Sequence, residues 1–242
     1  MLCIEYLGTN YHGWQKQPNV STIQGELEAA IAKVANESVA LICAGRTDAG
    51  VHALNQYASF VTNAHRNNRA WVIGVNTYLP SDIRVKWSKV VDLNFNARRT
   101  ALSRSYRYII FNSEVHSSIF HSHTCFANYQ LNAQDMHEGA QVLIGTHDFT
   151  SFRGPDCQSF SPVRTIHKIS VSKMDEYLYI DITANAFLHN MVRNIVGSLL
   201  EIGKGRRDTN WLSKVLAAHD RTQASITAPA SGLYLIEVAY PS

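Results

Sequence analysis

No run of apolar residues in this chain approaches the roughly 20 needed to cross a bilayer. The longest apolar stretches, near Leu199 and Leu235, are short and interrupted, so no membrane partner is expected. Met1 to Tyr6 lack the basic region and apolar core of a signal peptide, which makes a cytoplasmic location the expectation. Cysteine is scarce. Cys3, Cys43, Cys125 and Cys157 lie far apart with no Cys-x-x-Cys pair, and they read as reduced thiols rather than a disulfide framework or a zinc site. Strong charge is lacking too: charged residues make up 17% and the formal net charge is only +3. The pI of about 8.6 is mildly basic. A polyanionic partner would therefore need positive charge concentrated locally. There is no Gly-x-Gly-x-x-Gly after a strand, no phosphate loop, no His-Glu-x-x-His and no Gly-x-Ser-x-Gly. His121-Ser122-His123 with Cys125 lacks a second ligand pair at zinc spacing, so no metal site is assigned.

What is present is enough apolar residue, 45% of 242, for one large or two small cores. Leu2 to Tyr6 reads as a strand. Ser21-Thr22-Ile23-Gln24 has the form of a capping box before Ile23, Leu27, Ile31 and Val34, which share one helical face. Strands are expected over Val39–Ile42, Gln56–Val61 and Ile83–Val91, with a helix over Arg69–Leu79 that Pro80 stops. Asp92 to Ala101 is polar, basic and poor in large aliphatics, and a domain boundary is placed there, giving domains 1–97 and 98–242. Beyond it, Ser103–Phe111 alternates as a strand, with Tyr106, Tyr108 and Ile110 on one face. Asn132–Ile144 reads as a helix with Asn132 as cap. Val163–Lys173 and Tyr177–Asn185 form a hairpin turning at Asp175-Glu176. Leu188–Ile202 is the strongest helix, Trp211–Ala218 a short one, and Leu233–Tyr240 a last strand. Strands and helices mixed in both halves, with hairpins and long connections, argue for an α+β fold rather than a doubly wound parallel one.

Two places could carry chemistry. Arg98, Arg99, Arg104 and Arg107 interleave with Phe95, Tyr106 and Tyr108. Guanidinium groups bind phosphates and rings stack on unpaired bases, so the stretch suits RNA; it equally suits a solvated strand face over core tyrosines. The segment Cys43 to Ala53 sets Arg46, Thr47, Asp48 and His52 in a loop with glycines at 45 and 50. A carboxylate beside an arginine is held ionised, as a carboxylate nucleophile must be, yet Arg46 and Asp48 could also be a structural ion pair. Residue chemistry alone does not separate these.

The run Ala44-Gly45-Arg46-Thr47-Asp48-Ala49-Gly50-Val51-His52-Ala53 resembles the active-site signature of the TruA family, tRNA pseudouridine synthase A. The likeness continues in order through Tyr11-His12-Gly13-Trp14-Gln15, Ser105-Tyr106-Arg107-Tyr108-Ile109 and Asp148-Phe149-Thr150-Ser151-Phe152. It ends with Asn185 to Ile195 and Gly232-Leu233-Tyr234-Leu235. The resemblance implies two mixed α/β domains with largely antiparallel sheets flanked by helices and an active-site cleft between them. It implies isomerisation of uridine to pseudouridine at tRNA positions 38, 39 and 40 in the anticodon stem-loop, with no cofactor, no metal, and a homodimer. Asp48 matches the nucleophile, Arg46 the residue linked to base flipping, and Tyr106 the tyrosine that packs on the flipped uracil. Arg193 matches the arginine that pairs with the carboxylate. It lies about 100° from Val192, at the edge of the face formed by Leu188, Val192, Ile195, Val196 and Leu199. Arg66, the segment Phe95 to Arg99 (Arg98 and Arg99 included) and the loop Asp156 to Phe160, with Cys157, Gln158 and Ser159, fall where the family meets tRNA.

Two other classes compete. An RNA-binding module of the RRM type also uses aromatic-basic strands, but its RNP1 pattern is absent. A carboxylate-nucleophile hydrolase would need a metal-binding or phosphate-binding companion motif, and none is found.

Overall fold

A computed structural model describes residues 1–241. By compactness the chain separates into two units, one holding Met1–Arg104 and the chain from Tyr234 on, the other Ser105–Leu233.

In the first unit, β1 (Leu2–Tyr6) is buried everywhere but Glu5, as an interior strand requires. It pairs antiparallel with both β3 (His52–Ser59) and β4 (Ile83–Ser88). The short β2 (Ile42–Cys43) pairs antiparallel with β3. The last strand, β10 (Leu233–Ala239), runs parallel to β3, Tyr234 opposite His52. That pairing puts β10 in the first unit, whereas the division at 97/98 assigned it to the second domain. Helix α1 (Ile23–Ala35) buries Ile23, Leu27 and Ile31. Its cap is Thr22 rather than Ser21: Thr22 has the extended backbone of a cap, and its hydroxyl accepts the Gly25 N–H at 3.3 Å. The helix expected over Arg69–Leu79 begins as a wide π turn, Ala70–Gly74, with Trp71 against Phe60, and closes as the single-turn α2 (Val75–Tyr78).

The strand β5 (Ser103–Asn112), most of it in the second unit, alternates as far as Ile110, burying Arg104, Tyr106, Tyr108 and Ile110, and then buries Phe111 as well. The strands β5, β9 (Tyr177–Ala184), β8 (Val163–Met174) and β7 (Gly145–Asp148) lie side by side in that order, and β6 (Cys125–Ala127) runs parallel to β5. The β8–β9 hairpin turns at Asp175, whose φ is 53°. Helix α3 (Ala133–Ala140) is capped by Asn132, whose side-chain oxygen accepts the N–H groups of Gln134 and Asp135. It tightens to a 3₁₀ turn at Gln141–Leu143 instead of continuing to Ile144. Helix α4 (Met191–Gly203) starts later than expected, because Asn190 adopts a left-handed φ of 60°. Its residues are buried on nearly every side, as in a central core helix. Small residues permit that: a Cβ on Gly197 would stand 1.9 Å from the Ile226 carbonyl oxygen. Helix α5 spans Trp211–Ala218.

The fold is thus α+β, with mostly antiparallel pairing and helices against it. Among the described residues no helix is long and apolar enough to cross a membrane.

Candidate active site

The loop 44–51 leaves β2, returns as β3, and is held from several directions. Thr47 is buried, and its Oγ1 lies 2.8 Å from Tyr6 Oη. Gln56 Nε2 donates to Tyr6 Oη at 3.4 Å and to the Gly45 carbonyl at 2.6 Å. Tyr6 Oη therefore accepts from Gln56 and shares a second hydrogen bond with the Thr47 hydroxyl. Burial pushes the Tyr6 phenol upward, so it stays protonated and able to donate. The Thr47 carbonyl accepts the Trp14 N–H at 3.0 Å. A Cβ on Gly13, whose φ is 84°, would stand 2.7 Å from that same carbonyl oxygen, so only glycine lets the 11–15 segment lie so close. At the loop's exit the His52 ring is fully buried, 4.6 Å from the Tyr234 ring. Its Nδ1 accepts the Gly8 N–H at 3.0 Å, which places the ring proton on Nε2.

With Thr47 turned inward, its neighbours face the other way: Arg46 is exposed and Asp48 half-buried. The Asp48 carbonyl accepts the Val51 N–H at 3.2 Å, closing a turn that Gly50 completes at a φ of 79°. The carboxylate thus stands on a backbone anchored on both flanks. Positive charge surrounds the loop's root. Burial raises the Cys43 thiol to about 11 against the opposing pull of Arg98, Arg46 and Arg104.

The basic strip divides. Arg98 and Arg99 are exposed, their N–H groups fixed on Asn96 Oδ1 at 3.0 Å. Phe95 lies 5.2 Å from the Tyr240 ring, and buried Ala97 is pinned by Ser59 and Tyr240. Arg104, one of the stretch that suited either RNA or a solvated strand face, fits neither: it is buried and donates to the carbonyls of Ala44, Ala101 and Arg98. It props the entrance of the loop 44–51. Arg107 is bound bidentately by Asp181 at 2.7 and 2.9 Å. Both are removed from the strip because carbonyls and a carboxylate distant in sequence claim them. Arg66 is exposed and folds its Nε onto the Val34 carbonyl near the end of α1.

In the second unit Tyr106 is buried and meets Phe187 edge-on at 5.1 Å. Tyr108, expected in the core, is fully buried and donates to the Pro229 carbonyl at 2.8 Å. Arg193 is half-buried in the first turn of α4. Its Nε donates to the Ala228 carbonyl at 2.7 Å and its Nη1 to Asn190 Oδ1 at 3.1 Å. The segment carrying Ala228 is strapped to α4 through Asn194, whose Oδ1 accepts from Thr227 at 2.6 Å and Arg221 at 3.0 Å.

The loop holding Cys157, Gln158 and Ser159 is built on two arginines. Arg153 Nη2 donates to the Cys157 and Ser159 carbonyls, and Arg164 Nη2 to Ser159 Oγ. Partial burial works against ionisation of Cys157. The N–H groups of His189 and Ser159 and the Arg153 guanidinium outweigh it and draw the thiol below its ordinary value. Gln158 and Phe160 are exposed. Sequence reading missed this support, along with Tyr6, Gln56, Gly8 and Asn194. Only the glycines next to the aromatic segment 11–15 hinted at it.

Asp48 thus lies half-buried on a hydrogen-bonded loop, with Arg46 exposed two residues before it. The family described as "tRNA pseudouridine synthase" matches residues 2–98 and 140–241. A "tRNA pseudouridine synthase A" of Shewanella loihica is 52% identical over 240 residues, covering 99% of this chain and 92% of the relative. One of the same name from Photorhabdus laumondii is 50% identical over 240 residues, covering 99% and 91%. The chain belongs to the tRNA pseudouridine synthase family, whose members are isomerases.

Proposed function

We propose that the protein isomerises uridine to pseudouridine at positions 38, 39 and 40 in the anticodon stem-loop of tRNA, with Asp48 as nucleophile. The observation that carries this is the anchoring of the loop at Thr47 by Tyr6 and at Gly45 by Gln56, which supports the backbone that bears Asp48. In the reaction the N1–C1′ bond breaks, the uracil turns, and C1′ rejoins through C5. C5 loses a proton and N1 gains one, so no redox partner is required. The target base must leave its stack first, and Arg46, exposed two residues from Asp48, is the long cation that fills the gap. Tyr106 stacks on the flipped base and its hydroxyl serves proton transfer. Arg193 keeps the carboxylate ionised; Ala228 and Asn190 hold its guanidinium in one orientation.

Arg66, Arg98 and Arg99 bind tRNA phosphates, a role their exposure supports. Phe95 buttresses the Arg98–Arg99 turn. The loop of Cys157, Gln158 and Ser159 offers amide and hydroxyl groups over the Arg153–Arg164 platform. The working form is a homodimer, which sedimentation equilibrium tests directly.

Unmodified tRNA transcript incubated with the protein, followed by carbodiimide-dependent reverse-transcription mapping, should give stops at positions 38 to 40. Transcripts that stay free of stops would overturn the reading, and stops elsewhere would overturn the choice of positions.

A further inference from the structure

Outside the residues assigned above, the second unit holds a pocket of about 370 Å³ beyond the end of α4. Arg206, Arg207, Asp208, Trp211, Lys214 and Gln223 line it. Gly205, at a φ of 71°, turns the chain there, and α5 supplies Trp211 and Lys214.

The charges do not cancel. Asp208 is engaged by its own turn: its Oδ1 accepts the Asn210 N–H at 2.9 Å. Arg206 reaches Glu201 at 3.5 Å, but Lys204 already holds that carboxylate at 2.9 Å, and the Arg206 side chain is 68% exposed. The Arg207 guanidinium lies over the Trp211 ring at 5.1 Å. No carboxylate pairs with Arg207 or Lys214 among the described residues. Asp208 offsets one of the three cations, and the positive charge left over on one concave surface favours a further anion. A plain solvated charge run would be convex and would lack the indole that holds Arg207 in place. Two guanidinium forks, an ammonium and the neutral donor Gln223 together suit a phosphodiester.

The pocket is separate from the Arg193 region. From Arg193 to Gly203 the helix advances about 15 Å at its standard rise. We propose that this pocket binds the phosphodiester backbone of the substrate tRNA away from the target nucleotide, as an anchor. The proposal rests on the tRNA reading above.

The test is the Arg207→Ala, Lys214→Ala double variant, read by affinity for full-length tRNA transcript across a salt series. The slope of log affinity against log salt should become shallower by roughly 1.4–1.8, two phosphate contacts. KM for full-length tRNA should rise about tenfold with kcat unchanged, while a short stem-loop carrying the target uridine should show neither effect. Arg207→Lys with Lys214→Arg should restore the slope. Both positions are exposed, and matching thermal melts confirm that the variants fold. An unchanged slope would overturn the proposal. So would equal weakening of the short stem-loop, or protection from melting by inorganic phosphate without a change in the tRNA slope. If the unaltered protein binds tRNA but makes no pseudouridine, the functional reading falls while the slope still decides the pocket.

Discussion

The loop 44–51, beside Cys43, and the segment 153–164, which contains Cys157 and runs into β8, each carry arginine, yet they are built in opposite ways. The first is held from outside: Tyr6, Gln56 and Arg104 supply its hydrogen bonds, and its own Arg46 stays exposed. The second is held from within, since Arg153 and Arg164 turn onto the loop's own carbonyl and hydroxyl oxygens. The thiols register the difference. Cys43 is buried and raised to about 11, while Cys157 is half-buried and lowered. An arginine near a loop is therefore not evidence of a free charge; where its donors end decides.

The largest effect should come from the residue the first loop presents. Asp48→Ala should cut pseudouridine formation on the order of 10⁴-fold or more while tRNA affinity changes little; single-turnover assays with a parallel binding titration measure both. Appreciable turnover would mean the anchored carboxylate is structural. Next come the close backbone approaches. Gly8→Ala would drive a Cβ to 2.0 Å from the Val51 carbonyl oxygen, and Gly197→Ala to 1.9 Å from that of Ile226. Each should cost on the order of 2–4 kcal/mol in denaturant titrations. Near-normal stability for Gly8→Ala would show that the first loop is softer than its hydrogen bonds imply.

A smaller change, Tyr6→Phe, strips Thr47 of its hydroxyl partner and Gln56 of an acceptor. It should cost about 1–3 kcal/mol and lower turnover while leaving KM for tRNA unchanged. The thiol contrast is tested by alkylation at pH 8 followed by mass spectrometry. Cys157 has a lowered pKa and is partly ionised there, whereas Cys43 stays protonated until about 11, so Cys157 should be labelled first. Equal labelling would erase the comparison. The mildest change is Arg66→Ala, expected to flatten the salt dependence of tRNA binding by about 0.7–0.9.

Much of the scaffold was legible because its signals are local. Alternation from Ser103 marked β5, Asn132 marked the start of α3, and Asp175 marked the hairpin turn. The Asp48 segment stood out because its residues are contiguous. Arg104 and Arg107 defeated the same reading: within the strip they look no different from Arg98 and Arg99. The partner of the last strand was not legible either, since nothing in Leu233–Ala239 points along the chain to β3.

The sequence by itself determined the elements, the contiguous Asp48 loop and the edge position of Arg193 on its helix, all of which follow from spacings of a few residues. The tertiary structure alone decided which guanidiniums are buried against carbonyls and which stay exposed. It brought Tyr6 to Thr47, Gln56 to Gly45, Ala228 to Arg193, and Gln223 to the cations at 206, 207 and 214. The physical reason is reach. Helical and strand periods are set by neighbours along the chain, whereas a long cationic side chain takes its partners from whatever carbonyl or carboxylate the fold carries to it.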